Sequence, residues 1–332
     1  MSSRLKAFIQ YAIIFVVTIA LIWFSLQGLS EENKWQYLKD TWQSANKAWL
    51  LAMAGIAMLS HVLRAARWRM LMVPSGHHPR LSHSFYSLMV GYLVNLVIPR
   101  GGEVSRCFNL YRLDKTPVDM SFGTVVVERI VDMLCLLILI AISFAVESEK
   151  LFQFIETLPI GKPGDRLPIM LLLYIGAACI VFAVTAFLIL RRNEKLKAFM
   201  TKTWQGFKQG LSSVFRLENK GLFIVYSVSI WLLYFLMSYT VLQAFPSTNA
   251  LGFGAVLSLF AIGSIAMAAP LPGGTGSYHV LVPQGLVFLY SVPQSEAVAF
   301  TFIFHGWQTA IMIVGGAISL LISSYIVRKK NY

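Results

Sequence analysis

Charge is what this sequence has least of, and negative charge is scarcer than positive. Lys, Arg, Asp and Glu together make up 13% of the 332 residues, about half the share found in soluble domains. That shortage excludes an ordinary water-soluble globule, because too little solvated side chain is present to cover one. Cysteine is nearly absent too. Cys107, Cys135 and Cys179 lie far apart in apolar context, which excludes a disulfide framework and argues against thiolate metal ligation. His61, His77, His78 and His83 do not stand at metal-binding spacing, so neither a metal nor another cofactor is expected. No phosphate-binding loop for nucleotides occurs, which leaves ATP out as a direct drive. There is no low-complexity tract, and no polar segment is large enough for a soluble catalytic domain.

Apolar length is what the sequence has in abundance. Six stretches read as full crossings, about 7–26, 48–70, 119–146, 167–190, 221–245 and 294–327, each near or beyond the roughly 20 residues that span a bilayer as helix. Arg4 and Lys6 before the first run imitate a signal peptide. The run is long, however, and Gln27-Gly28-Leu29 is a poor small-x-small cleavage site, so a retained first helix is expected.

Two more apolar stretches, 83–113 and 251–291, are interrupted at Pro99-Arg100-Gly101-Gly102 and Pro270-Leu271-Pro272-Gly273-Gly274. Proline removes a backbone donor and glycine relaxes the backbone, so both stretches read as broken helices or re-entrant hairpins. The alternative is a pair of full crossings joined at the surface, which 251–270 is long enough to allow. Non-helical backbone at membrane depth persists only against protein or a water-filled cavity. The expected fold is an all-α polytopic membrane protein, one membrane domain over 1–332, with about six crossings and two broken hairpins.

Orientation follows from Lys and Arg. With the N-terminus inside, the inner connections hold nineteen of them, and the outer ones hold Lys34, Lys39, Lys47, Lys150, Lys162 and Arg166. This bias puts both termini in the cytoplasm, and it explains the net charge of +13 without nucleic acid. Three crossings separate the hairpins, so they enter from opposite faces, the pattern of inverted-repeat transporters with a site at the repeat interface.

The remaining arginines, Arg100, Arg106 and Arg129, fall in apolar stretches with Glu103, Glu128 and Asp132. Charges at bilayer depth cost several kcal/mol unless paired or hydrated. Glu128 and Asp132 share a helical face at i, i+4, where a nearby arginine would stabilise both. Two roles stand open for the six groups: pinning the hairpin to its neighbour, or binding a phosphate or carboxylate through the guanidinium forks. The glycine pairs Gly101-Gly102 and Gly273-Gly274, with Thr275 and Ser277, could present free amides of a helix start to an anion or serve only to turn the chain. His279, His305 and Gln308 read as packed, hydrogen-bonded residues.

Arg64, Arg67, Trp68 and Arg69 end the second crossing and read mostly as a membrane-surface anchor. The stretch 193–215 mixes apolar and cationic residues as an amphipathic helix on the inner leaflet would, and Trp35–Trp49 reads similarly on the outer surface.

Taken together, Arg64–Arg69, Gly91-Tyr92-Leu93-Val94-Asn95, Pro99 to Arg106, Glu128-Arg129-Ile130-Val131-Asp132 and Pro270 to Gly276 resemble the flippase-like membrane family that includes the transmembrane region of lysylphosphatidylglycerol synthases. The resemblance runs over nearly the whole chain and implies lipid translocation. The full-length synthases append a soluble aminoacyltransferase domain that is not present before Tyr332, so lysine transfer is not implied. Archaeal relatives linked to polyprenyl-phosphate sugars widen the range of lipids.

The expected function is therefore a lipid flippase or scramblase of the cytoplasmic membrane, with Arg100, Arg106 and Arg129 holding phosphate and the three carboxylates orienting them. Its partners would be anionic or lipid-linked membrane lipids, with a separate lipid-modifying enzyme as a further candidate. The rival readings are a membrane-embedded polyprenyl-phosphate transferase and a non-transporting accessory subunit. The orientation has a direct check. In a cysteine-free background, cysteines at Ser148 and Gly161 are expected to react with an impermeant thiol reagent from outside, and cysteines at Asn193 and Asn219 are not. The reverse pattern would invert the topology.

Overall fold

The computed structural model describes residues 16–29, 33–157, 194–268 and 271–330, and every regular element among them is helical. In chain order these are α1 (Val16–Leu26), α2 (Lys34–Ser44), α3 (Lys47–Met72), α4 (Leu81–Asn95), α5 (Gly102–Asp114) and α6 (Val118–Thr157). They continue with α7 (Glu194–Leu211), α8 (Lys220–Gln243), α9 (Phe253–Ala268), α10 (Ser277–Tyr290) and α11 (Gln294–Lys330). Helix starts are marked by asparagine: the side chains of Asn33, Asn46 and Asn219 accept from the backbone N–H groups of Gln36, Ala48 and Leu222, satisfying donors that a helix N-terminus leaves free.

Among the described residues, three helices are long and apolar enough to cross a membrane, at Lys47–Ser75, Lys220–Gln243 and Gln294–Lys330. They coincide with the expected crossings at 48–70, 221–245 and 294–327. The 119–146 stretch lies within α6, which bends at Glu147 (φ −128°). Of the 7–26 stretch only α1 is described, and 167–190 lies outside the described residues.

The interrupted stretches are two pairs of short helices. α4 and α5 have 15 and 13 residues, about 22 and 20 Å at 1.5 Å per residue, against a hydrocarbon core of about 30 Å. Their close approach is made by glycine. A Cβ on Gly102 would run into the carbonyl oxygen of Gly91 and the side chain of Asn95, and the Asn95 side chain instead accepts from the Gly102 N–H at 2.7 Å. In the second pair, α9 and α10, the chain turns through Gly273 (φ +58°), Gly274 (+72°) and Gly276 (+101°), torsions that side chains rarely adopt. The breaks meet: a Cβ on Gly273 would lie 3.1 Å from Leu96 Cδ2.

The ends of the bundle segregate. At one end Asp114 accepts from the Arg80 N–H and contacts His83, and the Lys330 ammonium donates to the Leu113 carbonyl. At the other, the Asn46 N–H donates to Ala244, Lys150 pairs with Glu147, and Lys150 lies over Tyr290. Between them the core packs α3, α8, α10 and α11 through residues such as Leu50, Met53, Val241, Phe245, Leu286 and Phe300.

The amphipathic stretch expected at 193–215 forms α7 and a 3-10 turn over Ser212–Arg216. One of its faces is not free for lipid. Gly206 and Gly210 seat it directly on Asp119, Met120 and Gly123 of α6, so closely that an added Cβ at any of the three glycines would collide. Trp204 and Phe215 remain exposed. Gly102→Val is expected to unseat α5 from α4 and to lower stability by about 1–3 kcal/mol, as overpacking does, whereas Gly55→Val, which meets nothing within 4 Å, should leave the thermal midpoint nearly unchanged.

Candidate functional site

Three helices contribute to one buried ionic chain. On α3, Arg64, Arg67 and Trp68 stand at i, i+3 and i+4 and so share a face. α6 presents Glu128 and Asp132 at the same spacing, and α5 presents Arg106. Arg64 Nη2 lies 3.2 Å from Asp132 Oδ2, and Arg67 Nη2 lies 2.6 Å from Asp132 Oδ1 and 3.6 Å from Glu128 Oε1. Arg106 Nη2 donates to Glu128 Oε2 at 2.6 Å. The signs alternate from Arg64 through Asp132, Arg67 and Glu128 to Arg106, so each carboxylate sits between two guanidinium groups and Arg67 relieves the repulsion between them.

Neutral neighbours complete the arrangement. Arg64 Nη1 donates to the Tyr234 hydroxyl at 2.8 Å, and Arg67 Nη1 donates to Ser227 Oγ at 3.2 Å. The Arg106 guanidinium lies 4.6 Å from the Trp68 ring centroid, and the Trp68 indole N–H donates to Thr124 Oγ1 at 2.9 Å. A second pair, Arg129 Nη2 to Glu103 Oε1 at 3.3 Å, is looser, with the Arg129 side chain 46% exposed.

Among the described residues the arrangement holds more positive charge than negative: four arginines (Arg64, Arg67, Arg106, Arg129) face three carboxylates (Glu103, Glu128, Asp132). Nε of Arg64, Arg67 and Arg106 and Nη1 of Arg106 lack hydrogen-bond partners among those residues, and so do Oε2 of Glu103 and Oε1 of Glu128. The excess of one guanidinium group favours an anion.

Beside this cluster lies a cavity of about 460 Å³, within the range of small-ligand sites. Arg64, Arg129 and Asp132 form its charged wall, and Met237, Leu259, Phe260 and Phe304 are among its apolar lining. Trp231 also lines it and carries a buried indole N–H without a partner. Such a space suits a molecule with a polar head and a hydrocarbon portion.

The structure joins Arg106, Arg129, Glu103, Glu128 and Asp132, which the sequence had singled out, and adds Arg64 and Arg67. These two and Trp68 were expected at the membrane surface. Arg67 and Trp68 are instead fully buried and Arg64 nearly so, because Asp132 and Glu128 offer closer partners than headgroups would. Arg69 alone of the four is exposed. Arg100 is exposed at the first break with φ +62°, apart from the ion pairs.

The break glycines are occupied locally. The Gly101 N–H donates to Ile98 and the Gly274 N–H to Leu271, and the Gly102 N–H is held by Asn95. Ser277 Oγ donates to the carbonyls of Ala266 and Gly274. Thr275 is half-buried at the same turn, and none of these residues lines the cavity. His305 bonds the Gly273 carbonyl at 3.0 Å, and His279 Nδ1 accepts from the Gly276 N–H at 3.3 Å, so both histidines brace the second break. Gln308, Trp231, Tyr234 and Tyr278 enter the cavity wall, and only Gln308 had been noted as polar from sequence.

Removing one member of the chain should be far worse than removing the peripheral pair. Glu128→Ala leaves Arg67 and Arg106 buried against each other and is expected to cost about 3–5 kcal/mol, read as a drop in thermal midpoint. Arg129→Gln, at the longer and partly exposed pair, should lower the thermal midpoint less than Glu128→Ala does.

The comparisons with known proteins accord with this architecture. Residues 9–316 match the family described as the lysylphosphatidylglycerol synthase TM region. A relative, the UPF0104 membrane protein MJ1595 of Methanocaldococcus jannaschii, is 22% identical over 304 residues, covering 83% of this chain and 85% of that protein. No solved structure matches. With buried charges, two broken hairpins and a family match over nearly its whole length, the chain belongs to the lysylphosphatidylglycerol synthase transmembrane-region family of membrane proteins.

Proposed function

We propose that the protein moves a phospholipid or other lipid-linked phosphate across the cytoplasmic membrane, as a flippase or scramblase, rather than catalysing a covalent reaction. The observation that carries this reading is the cavity's charged wall. An excess of one arginine over the carboxylates in the adjoining network meets a largely hydrocarbon-lined space, so a phosphate held there would balance the charge while its chain stays among apolar side chains.

Arg64 and Arg129 are the groups that would grip the phosphate. Both line the cavity, and Arg129, whose side chain is 46% exposed, is the arginine freest to leave its carboxylate. Arg67, Arg106, Glu128 and Asp132 act behind them, holding the charged wall in place. The two breaks touch beside Leu96 and Gly273, and movement of one short hairpin against the other would change access to the cavity from either face, in line with an inverted-repeat arrangement. On the lysine and arginine bias of the connections, the end at Leu113 and Lys330 would face the cytoplasm.

The test uses proteoliposomes carrying acyl-chain-labelled phosphatidylglycerol, with headgroup accessibility followed across the bilayer. Arg129→Gln, by loss of one charge-assisted contact, and Ser238→Trp, by filling the cavity, are each expected to slow movement about tenfold or more, with little change in thermal midpoint. Wild-type rates in both well-folded variants would refute transport through this cavity.

A further inference from the structure

A second concavity, of about 400 Å³, shares no lining residue with the first. Its floor is one face of α5, where Gly101, Val104, Ser105, Phe108, Asn109 and Arg112 recur every three or four residues, with Val90 and Val94 of α4 and Leu320 of α11 beside them. From Gly101 to Arg112 the groove is about 16 Å long at helical rise. It begins at the first break and ends at the side of the bundle assigned to the cytoplasm.

Its two ends differ in chemistry. Near the break the lining is apolar, and Val104 and Phe108 are 44% and 54% exposed. At the other end Arg112 stands exposed, and the Lys330 ammonium donates to the carbonyl of the next residue, Leu113. The acid nearest in sequence, Asp114, is already engaged by the Arg80 N–H and His83. The mouth therefore carries Arg112 and Lys330 against the Asp114 carboxylate, while the lining nearer the break is mostly apolar.

We infer that this groove is a lipid site separate from the cavity, seating one acyl chain of an anionic phospholipid along α5 with its phosphate on Arg112. Charge complementarity selects the occupant: cation clusters at the cytoplasmic ends of membrane helices attract anionic headgroups, and an arginine fork binds phosphate directly. A zwitterionic lipid would gain the same apolar contacts but no net attraction to the cationic rim. The occupant would also lie against Gly101 and Ser105, next to the break. The inference needs only the membrane location and does not depend on transport.

Phe108 replaced by p-benzoylphenylalanine places a photocrosslinker in the groove of the full-length protein. The probe is vesicles of equimolar dioleoylphosphatidylglycerol and dioleoylphosphatidylcholine, and crosslinked lipid is identified by mass spectrometry. Phosphatidylglycerol is expected to be captured about fivefold in excess, because phosphatidylcholine carries the same phosphate but adds a choline cation that the basic rim disfavours by about 1 kcal/mol. The excess should vanish in Arg112→Glu, persist in Arg112→Lys, and persist in Arg129→Gln, a residue outside the groove's lining. Equal capture of the two lipids, or an excess unaffected by Arg112→Glu, would overturn the inference. An Arg112-dependent excess in a protein that moves no lipid would instead overturn the transport reading alone.

Discussion

Five charges in alternating order, Arg64, Asp132, Arg67, Glu128 and Arg106, lie where water is scarce, and none is stable there without its neighbours. Desolvating an ion costs several kcal/mol even after relaxation, so α3, α5 and α6 are constrained to the one register in which each carboxylate meets two arginines. The first hairpin inherits its position from this constraint, because Arg106 ties α5 to α6 while Gly91 and Gly102 tie α4 to α5. The cavity inherits its charged wall from the same residues.

The excess of positive charge gives that constraint a functional side. A network built only for stability would be expected to balance, or to be replaced by apolar packing of equal volume, which is often no less stable. Here the arginines outnumber the carboxylates among the described residues, and two of the arginines reach an apolar cavity. A phosphate bound there would complete the network and then leave it, which requires one arm weaker than the rest. The longer Arg129–Glu103 pair, with the Arg129 side chain 46% exposed, has that character.

Much of the architecture was legible in the sequence because hydrocarbon length and helix rise are local properties. The stretches read as 48–70 and 221–245 became Lys47–Met72 and Lys220–Gln243, and the interruptions at Gly101-Gly102 and Gly273-Gly274 became breaks. The acidic pair Glu128 and Asp132 was also readable from its spacing. Arg64 and Arg67 were misread, because an arginine-rich helix end next to tryptophan has the composition of a surface anchor. Only the placement of α6 beside α3 decides otherwise, although the i, i+3, i+4 spacing of Arg64, Arg67 and Trp68 was a visible sign of one face. The glycines were ambiguous for a similar reason. Composition cannot distinguish a ligand's approach from a helix's approach, and at Gly102 the backbone of Gly91 occupies the space.

The central claim is that the arginine excess is matched by a lipid phosphate in the cavity. A cryo-EM map of the protein in nanodiscs of phosphatidylglycerol addresses it most directly. The account predicts headgroup density between Arg64 and Arg129, with Arg129 withdrawn from Glu103 and an acyl chain running past Met237 and Leu259. A cavity filled only by solvent, with Arg129 still paired to Glu103 under saturating lipid, would contradict it.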